Sequence, residues 1–393
     1  MEKLIWFLVL MWNFEPPFFK ELEMLDRIYI LGRFAAAYFL LLLLIVRGRE
    51  YRPGKFLGYL LAMEGCIFFS TFWNGGYSVL GLMMNEITGI TFMILMDYLL
   101  DRDFRFLISL LTLVFEILIY GNLFTVLVFP QGLYNLEEGR KYWLLGQVNQ
   151  IILYLLPAIL LELLHNRYVV GKERMGIRAG VMLGVGIFTG IRVWSATSLV
   201  GLFIMISMVL AGGFVSFGIK LKWGIAGSIL IFGAFVIFRI QNLFSYFIVD
   251  ILHRNLTFST RITVWDMVLK CIRDKWLLGY GMETTEAAVK RFGYMTPHNR
   301  YLYLLYQGGL LMLAVFMGML ADCGKTLRQR INSKAALLCV SSISAFLIMM
   351  QFESYNTPIF FIPFLLSFRI EKITELEGGT YEQRNSFTDI AGG

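Results

Sequence analysis

Apolar runs of about one bilayer thickness recur along almost the whole chain, near residues 3–18, 29–46, 56–73, 79–99, 105–127, 146–164, 178–193, 196–217, 223–244, 298–320, 335–350 and 356–370. A helix needs about 20 such residues to cross the hydrocarbon core, and fewer where the bilayer thins or the segment is partly inserted. Of 393 residues, 58% are hydrophobic and only 16% charged, against about a quarter charged in soluble domains. The expected fold is therefore all-α, a polytopic membrane protein of about 12 transmembrane helices. It has one integral domain over 1–370, both termini on one side of the membrane, and one long external loop at about 245–297. The polar tail over 371–393 reads as disordered and cytoplasmic.

Charge orients these runs. The net charge of +7 would suggest a nucleic-acid partner in a soluble chain, but here the basic residues gather in one alternating set of connections. That set holds Arg47, Arg49, Arg52 and Lys55, then Arg102 and Arg105, then Arg167, Lys172, Arg174 and Arg178, then Lys220 and Lys222, then Lys325, Arg328, Arg330 and Lys334. Basic connections of this kind stay in the cytoplasm, so the charge reports topology and no nucleic acid is expected. The opposite set is poor in Lys and Arg apart from Arg140 and Lys141 and the long loop, and long segments translocate largely regardless of charge. Met1 to Asn13 is followed by Glu15-Pro16-Pro17-Phe18 with no small-residue cleavage site, so it reads as an uncleaved first span. The four cysteines, at 66, 271, 323 and 339, have no CxxC spacing, and neither a disulfide framework nor a metal site is expected.

The long loop holds the polar residues that could do chemistry. Trp265, Val268, Leu269, Ile272 and Trp276 recur at helical spacing, with Asp266, Lys270, Arg273 and Asp274 opposite, which predicts an amphipathic helix at the membrane surface. Ser259 or Thr260 suits its N-cap and Gly279 and Gly281 its end, so Arg261 is expected in the first turn beside unpaired N–H groups, an anion site. At the loop's exit Thr296 suits an N-cap and Pro297 the first helical position, which puts His298, Tyr301, Leu302 and Leu305 on one helix face. A histidine is a general base near neutral pH, and an arginine binds phosphate through two prongs. Arg192, ahead of Trp194-Ser195-Ala196-Thr197, adds a second positive charge at the outer end of a span, where charges commonly line cavities.

Each of these residues also has a plainer use. His298 can hydrogen-bond a loop carbonyl, Arg261 and Arg192 can anchor lipid head groups by snorkelling, and Trp265 and Trp276 can serve as interfacial tryptophans. Asp101 and Asp103 have the look of a metal-holding pair, but they occupy a very short turn with no nucleotide-binding domain attached. Glu64, Glu86, Asp97 and Glu116 lie inside spans, either as a proton relay or as acids paired within the bundle. The glycines at 180, 184, 186 and 190 predict tight packing of that helix against a neighbour.

Taken in order, Arg192-Val-Trp-Ser-Ala-Thr, Ser259-Thr-Arg261-Ile-Thr-Val-Trp265, Gly279-Tyr-Gly281, His298-Asn-Arg-Tyr-Leu and Gly308-Gly309-Leu resemble the O-antigen polymerase and O-antigen ligase family. These motifs cover about a quarter of the chain, from Arg192 to Leu310. Phe18 and Leu25-Asp26 look more like capsule or exopolysaccharide polymerases than like the ligase that caps lipopolysaccharide. The resemblance implies a fold related to the lipid-linked-sugar glycosyltransferases and metal-independent transfer of a glycan from a polyprenyl diphosphate carrier, without cofactors, at the outer face of the bacterial cytoplasmic membrane. Arg192 and Arg261 then match arginines that hold the diphosphate, and His298 the loop-exit histidine that assists the acceptor hydroxyl. Trp265, Arg291, Asn299, Arg300 and Tyr301 are the expected substrate contacts. The chain departs from the family pattern in reading Ser-Thr-Arg for Ser-Gly-Arg, and Ser-Ala for Ser-Arg after Arg192. Expected partners are the lipid-linked oligosaccharide, membrane lipid, and flippase and chain-length regulator proteins. A ligase to another acceptor and a flippase of lipid-linked sugar are the alternatives, although a transporter usually shows paired repeats and broken helices.

Overall fold

The computed structural model describes residues 2–47, 51–75, 77–136, 140–214, 219–240 and 257–375. The first part of the expected loop, 245–256, and most of the expected tail, 376–393, lie outside the described residues. The architecture is a helical bundle of α1 (Glu2–Met11), α2 (Pro17–Lys20), α3 (Glu23–Arg47), α4 (Lys55–Asn74), α5 (Val79–Arg102), α6 (Phe104–Val128), α7 (Ile151–Leu164), α8 (Ile177–Arg192), α9 (Ala196–Phe214) and α10 (Leu221–Phe232). After the gap come α11 (Thr257–Asp274), α12 (Thr285–Phe292), α13 (Arg300–Gln329), α14 (Lys334–Met349) and α15 (Ile362–Phe368). Two-residue strands, Tyr142–Trp143 and Gly146–Gln147, pair in the connection before α7. Residues 370–375 are helical too, so the chain stays ordered past the expected start of the tail, with Ile373 fully buried.

Among the described residues, six helices are long and apolar enough to cross a membrane: Glu23–Val46, Lys55–Asn74, Val79–Arg102, Phe104–Val128, Ile151–Val169 and Arg300–Gln329. Ala196–Gly212, Leu221–Ile237, Lys334–Met349 and Pro358–Phe368 are shorter apolar helices. The first expected span is different: α1 has ten residues, about 15 Å at 1.5 Å per residue, half of a hydrocarbon core. Asn13, Glu15 and two prolines stop it there, because consecutive prolines supply no amide hydrogens to carry a helix on. Of the four glycines expected to pack α8, Gly186 and Gly190 face side chains of α7 and α9, whereas Gly180 and Gly184 do not.

α7, α14 and α15 form the centre of the bundle, with Leu156, Leu160, Ile343, Phe346 and Phe364 fully buried. Polar residues within the bundle mostly clamp helices at one end. Asp97 accepts from Tyr51 Oη (2.6 Å), from the Gly54 N–H (2.9 Å) and from both prongs of Arg369 (2.8 Å each), and Arg369 also reaches Asp101. Glu116 takes a two-pronged Arg178 at 2.6 and 2.5 Å, with Glu162 3.4 Å from the same guanidinium. Two of the four intramembrane acids are therefore structural ion pairs. Asp103, the other half of the pair that resembled a metal site, caps α6 by accepting from the Phe106 N–H.

At the opposite end, the segment after α11 folds back onto α4 and α13. The N–H groups of Tyr280 and Gly281 donate to Tyr306 and Gln307 O, at 2.7 and 2.8 Å, and Leu310 N–H donates to Trp276 O. Those carbonyls are accessible because α13 breaks at Gly309, whose φ of 64° and ψ of −161° are not helical. A Cβ at Gly309 would stand 2.2 Å from Leu277 O, and one at Gly281 2.5 Å from Thr71 Cα. Both glycine motifs thus serve one joint, a turn seated in a helix kink, which only residues without side chains can form.

Candidate functional site

α11 begins at Thr257, earlier than its sequence pattern predicts, so Ser259 and Thr260 lie inside it and Arg261 stands in the second turn rather than beside the free N–H groups of the first. Val264, Trp265 and Val268 are buried against α13, Phe292 and Val236, so this face packs on protein instead of lying on the membrane surface. Trp276, past the end of the helix, remains 57% exposed. Trp265 is 2% exposed and donates from Nε1 to Pro297 O at 2.9 Å. It holds the loop's exit and offers no surface to a substrate.

The exit itself also differs from expectation. α13 starts at Arg300 with Asn299 as N-cap, its Oδ1 accepting from the Leu302 N–H at 3.1 Å and its Nδ2 donating to Gln351 O at 3.0 Å. Asn299 is fully buried by this work. His298 therefore precedes the helix and shares no helix face with Tyr301. Its φ is 50°, in the left-handed region that non-glycine residues enter uncommonly, although histidine does so more than most. Because the carbonyl before it is held by Trp265 and the side chain after it by Gln351, the backbone keeps the imidazole in place.

Arg261 meets the 353–358 connection. Its Nη2 donates to Glu353 Oε1 at 3.2 Å, a single contact rather than the fork an arginine can make with a carboxylate. The same oxygen accepts from Asn149 Nδ2 at 2.8 Å, and Asn149 Oδ1 accepts from Ser195 Oγ at 3.0 Å. Tyr355 Oη donates to Asn149 O at 3.3 Å. Burial pushes the Glu353 carboxyl up, against the pull of Arg261, the Asn149 hydrogen bond and the charge of Arg140. His298 lies in the same field: burial, then Arg261, then Arg140 hold its imidazole down at about 4. Arg261 and Glu353 thus meet from α11 and the connection after α14, and the charges of Arg261 and Arg140 bear on His298 at the loop exit.

The other expected site residues have different neighbours. Arg192, in the last turn of α8, is exposed and makes no contact with this cluster; its motif touches the cluster through Ser195 instead. Arg291 binds Glu283 at 2.7 Å and lies 4.2 Å over the Tyr280 ring, tying the loop to itself. Tyr301 Oη bonds Ser228 Oγ at 2.8 Å and Leu347 O at 3.1 Å, joining α13 to α10 and α14. Arg300 is 3% exposed and turned into the bundle, where it faces Glu64 and Glu86.

Glu353 and Asn149 are additions from the structure. The signal for Glu353 was present, a single carboxylate in the short polar break between the last two apolar runs. Asn149 carried none, because an asparagine near the start of an apolar run is commonplace. The arrangement sets the guanidinium of Arg261 beside a half-buried carboxylate and keeps a neutral imidazole in its field, which suits an anion at Arg261. No protein-family model, curated protein or solved structure matches this chain.

Proposed function

We propose that the protein is a polysaccharide polymerase of the O-antigen polymerase and ligase kind. It transfers a glycan from a polyprenyl diphosphate carrier to a lipid-linked repeat unit at the outer face of the bacterial cytoplasmic membrane. The observation that carries this reading is Arg261, paired with Glu353 at 3.2 Å at the end of an apolar bundle, its charge bearing on His298 at the loop exit. Guanidinium groups stabilise the charge that grows on a departing diphosphate without a metal, and preorganised charges in a partly dry site are effective at it. In the transfer, the acceptor oxygen bonds the anomeric carbon while the bond from that carbon to the diphosphate oxygen breaks. The acceptor's proton passes to His298 Nδ1 or Nε2, and the polyprenyl diphosphate leaves with the electron pair.

A second feature suits a lipid-borne substrate. A cavity of about 270 Å³ between α10, α13 and α14 is lined by Ile229, Phe232, Leu305, Leu313 and Leu347, with Tyr301 at its edge. Such a wall accepts an isoprenoid chain, which belongs in the bilayer, while the sugar head stays in water. The full twelve-span topology, with the loop outside and both termini inside, belongs to this proposal, as do a flippase and a chain-length regulator as partners.

The test is incubation of the purified protein in lipid with a lipid-linked repeat unit. A ladder of longer glycans is expected, and Arg261→Lys is expected to abolish most of it, because a point charge does not replace a two-pronged guanidinium. Transfer to a different acceptor without a ladder would make the protein a ligase. Movement of the lipid-linked unit across the membrane without any transfer would make it a flippase.

A further inference from the structure

The 353–358 connection has a second face. Glu353 points to Arg261, but Asn356 and Thr357 line a separate cavity of about 260 Å³, bounded also by Glu15, Lys20, Arg33, Glu64 and Glu86. His298 and Arg300, two residues apart, divide in the same way: His298 lies in the field of Arg261, and Arg300 faces Glu64 and Glu86.

The side chains here interact with each other, Glu64 with Glu86 and Glu15 with Arg33, yet leave polar atoms over. Both carboxyl oxygens of Glu15, Glu64 Oε2, Thr357 Oγ1 and Arg300 Nη1 are buried without a hydrogen-bond partner, although Arg33 approaches Glu15 to 3.4 Å. Glu15 is 6% exposed and Arg300 3%. Buried polar groups in native proteins are nearly always paired, and this protein pairs Asp97 and Glu116 fully at the other end of the bundle. Among the described residues, Glu15, Glu64 and Thr357 bring such atoms to the wall of one cavity, and that marks a binding site.

Charge and size select the ligand. Three carboxyls oppose an anion, while Lys20 and Arg33 in the lining, and Arg300 behind it with its charge on Glu64 and Glu86, oppose a cation, so the favoured guest is neutral. It must both donate and accept at several points around its rim, which is the property of a polyhydroxylated ring. One wall is apolar, formed by Tyr154, Ile359 and Phe361, and a sugar ring has an apolar face to set against it. The volume falls just under the roughly 300 Å³ at which small-molecule pockets begin, so it fits one ring rather than an oligosaccharide.

We propose that this cavity is a subsite for one neutral sugar ring of the acceptor glycan, held beside the arginine cluster by the connection the two sites share. The proposal rests on the transferase reading for the word acceptor, and on the cavity alone for the sugar.

The test is saturation-transfer NMR on the full chain in lipid nanodiscs, with a panel of neutral methyl hexosides and methyl N-acetylhexosaminides, and with pyrophosphate and choline as charged probes. At least one neutral glycoside is expected to bind saturably. Its affinity should fall fivefold or more in Glu64→Gln and in Thr357→Val, and stay unchanged in Arg261→Lys. Thr357→Val carries the test if Glu64→Gln does not fold. The subsite is overturned if no neutral glycoside saturates, if binding survives both substitutions, or if pyrophosphate or choline displaces the glycoside by occupying the cavity. A glycan ladder from wild type without glycoside binding sinks the subsite and leaves the transferase standing. Glycoside binding that is lost in Thr357→Val, in a protein that makes no ladder, supports the sugar site and removes the polymerase.

Discussion

The imidazole of His298 lies among protein atoms and near two arginines, and all of these lower its proton affinity, to about 4. An ordinary histidine titrates near 6.5. Between those two values the unfolded chain binds a proton that the native protein does not, so stability is present above about pH 6.5 and is lost as pH falls toward 4. Thermal unfolding in detergent between pH 4.5 and 7.5 should show that slope, and His298→Gln should flatten it; an unchanged slope would mean that His298 is not the group responsible. A base of such low affinity is poorly matched to neutral pH. On the proposed reaction, a bound diphosphate would offset the charges of Arg261 and Arg140 and so raise it, which would make the histidine competent only with the donor in place. The imidazole resonances should therefore titrate at higher pH with a polyprenyl diphosphate present than without it. His298→Gln should slow transfer by roughly 100-fold if His298 takes the proton, and near-normal transfer would leave it as a binding group.

At the scale of the element, the joint between the Gly279-Tyr280-Gly281 turn and the kink of α13 positions the site, because it fixes where α11 ends and where the loop's exit can go. Gly281 and Gly75 both have positive φ, 77° and 65°, but only Gly281 would place a Cβ against neighbouring atoms. An alanine in that backbone region costs about 1–2 kcal/mol, and Gly75→Ala should show no more than this. Gly281→Ala adds the 2.5 Å approach to Thr71 Cα, so the turn must leave α4. Limited proteolysis should then cut within 275–297 much faster than in Gly75→Ala, and equal rates in the two variants would refute the joint. The glycine motifs were legible in the sequence as helix-ending signals. Their shared use was not, because each alone is satisfied by a local turn, and only a contact between residues some thirty apart requires both.

At the scale of the whole molecule, the arginine cluster is useful only if its end of the bundle faces outward. With the four native cysteines replaced, Glu286→Cys, exposed in α12, should react with an impermeant thiol reagent in intact cells. Labelling of Lys325→Cys instead would invert the topology and remove the outward-facing mechanism. What the sequence determined by itself is the helical, membrane-embedded class and the position of most helices, since bilayer thickness and unpaired backbone groups leave a long apolar run no other structure to adopt. It also singled out Arg192, Arg261 and His298, because charged and titratable groups are rare in such a chain, but not which of them the fold would bring to Glu353. Tertiary structure decided the rest. Asn299 and Trp265 became a cap and a strut, and Arg300 turned away from its neighbour His298. Glu353 and Asn149 joined Arg261 from distant connections, and polar groups with no common motif, among them Glu15, Arg33, Glu64 and Thr357, met around one cavity. Side-chain partners separated by a hundred residues or more are chosen by packing, and a one-dimensional pattern carries no record of which helix ends will meet.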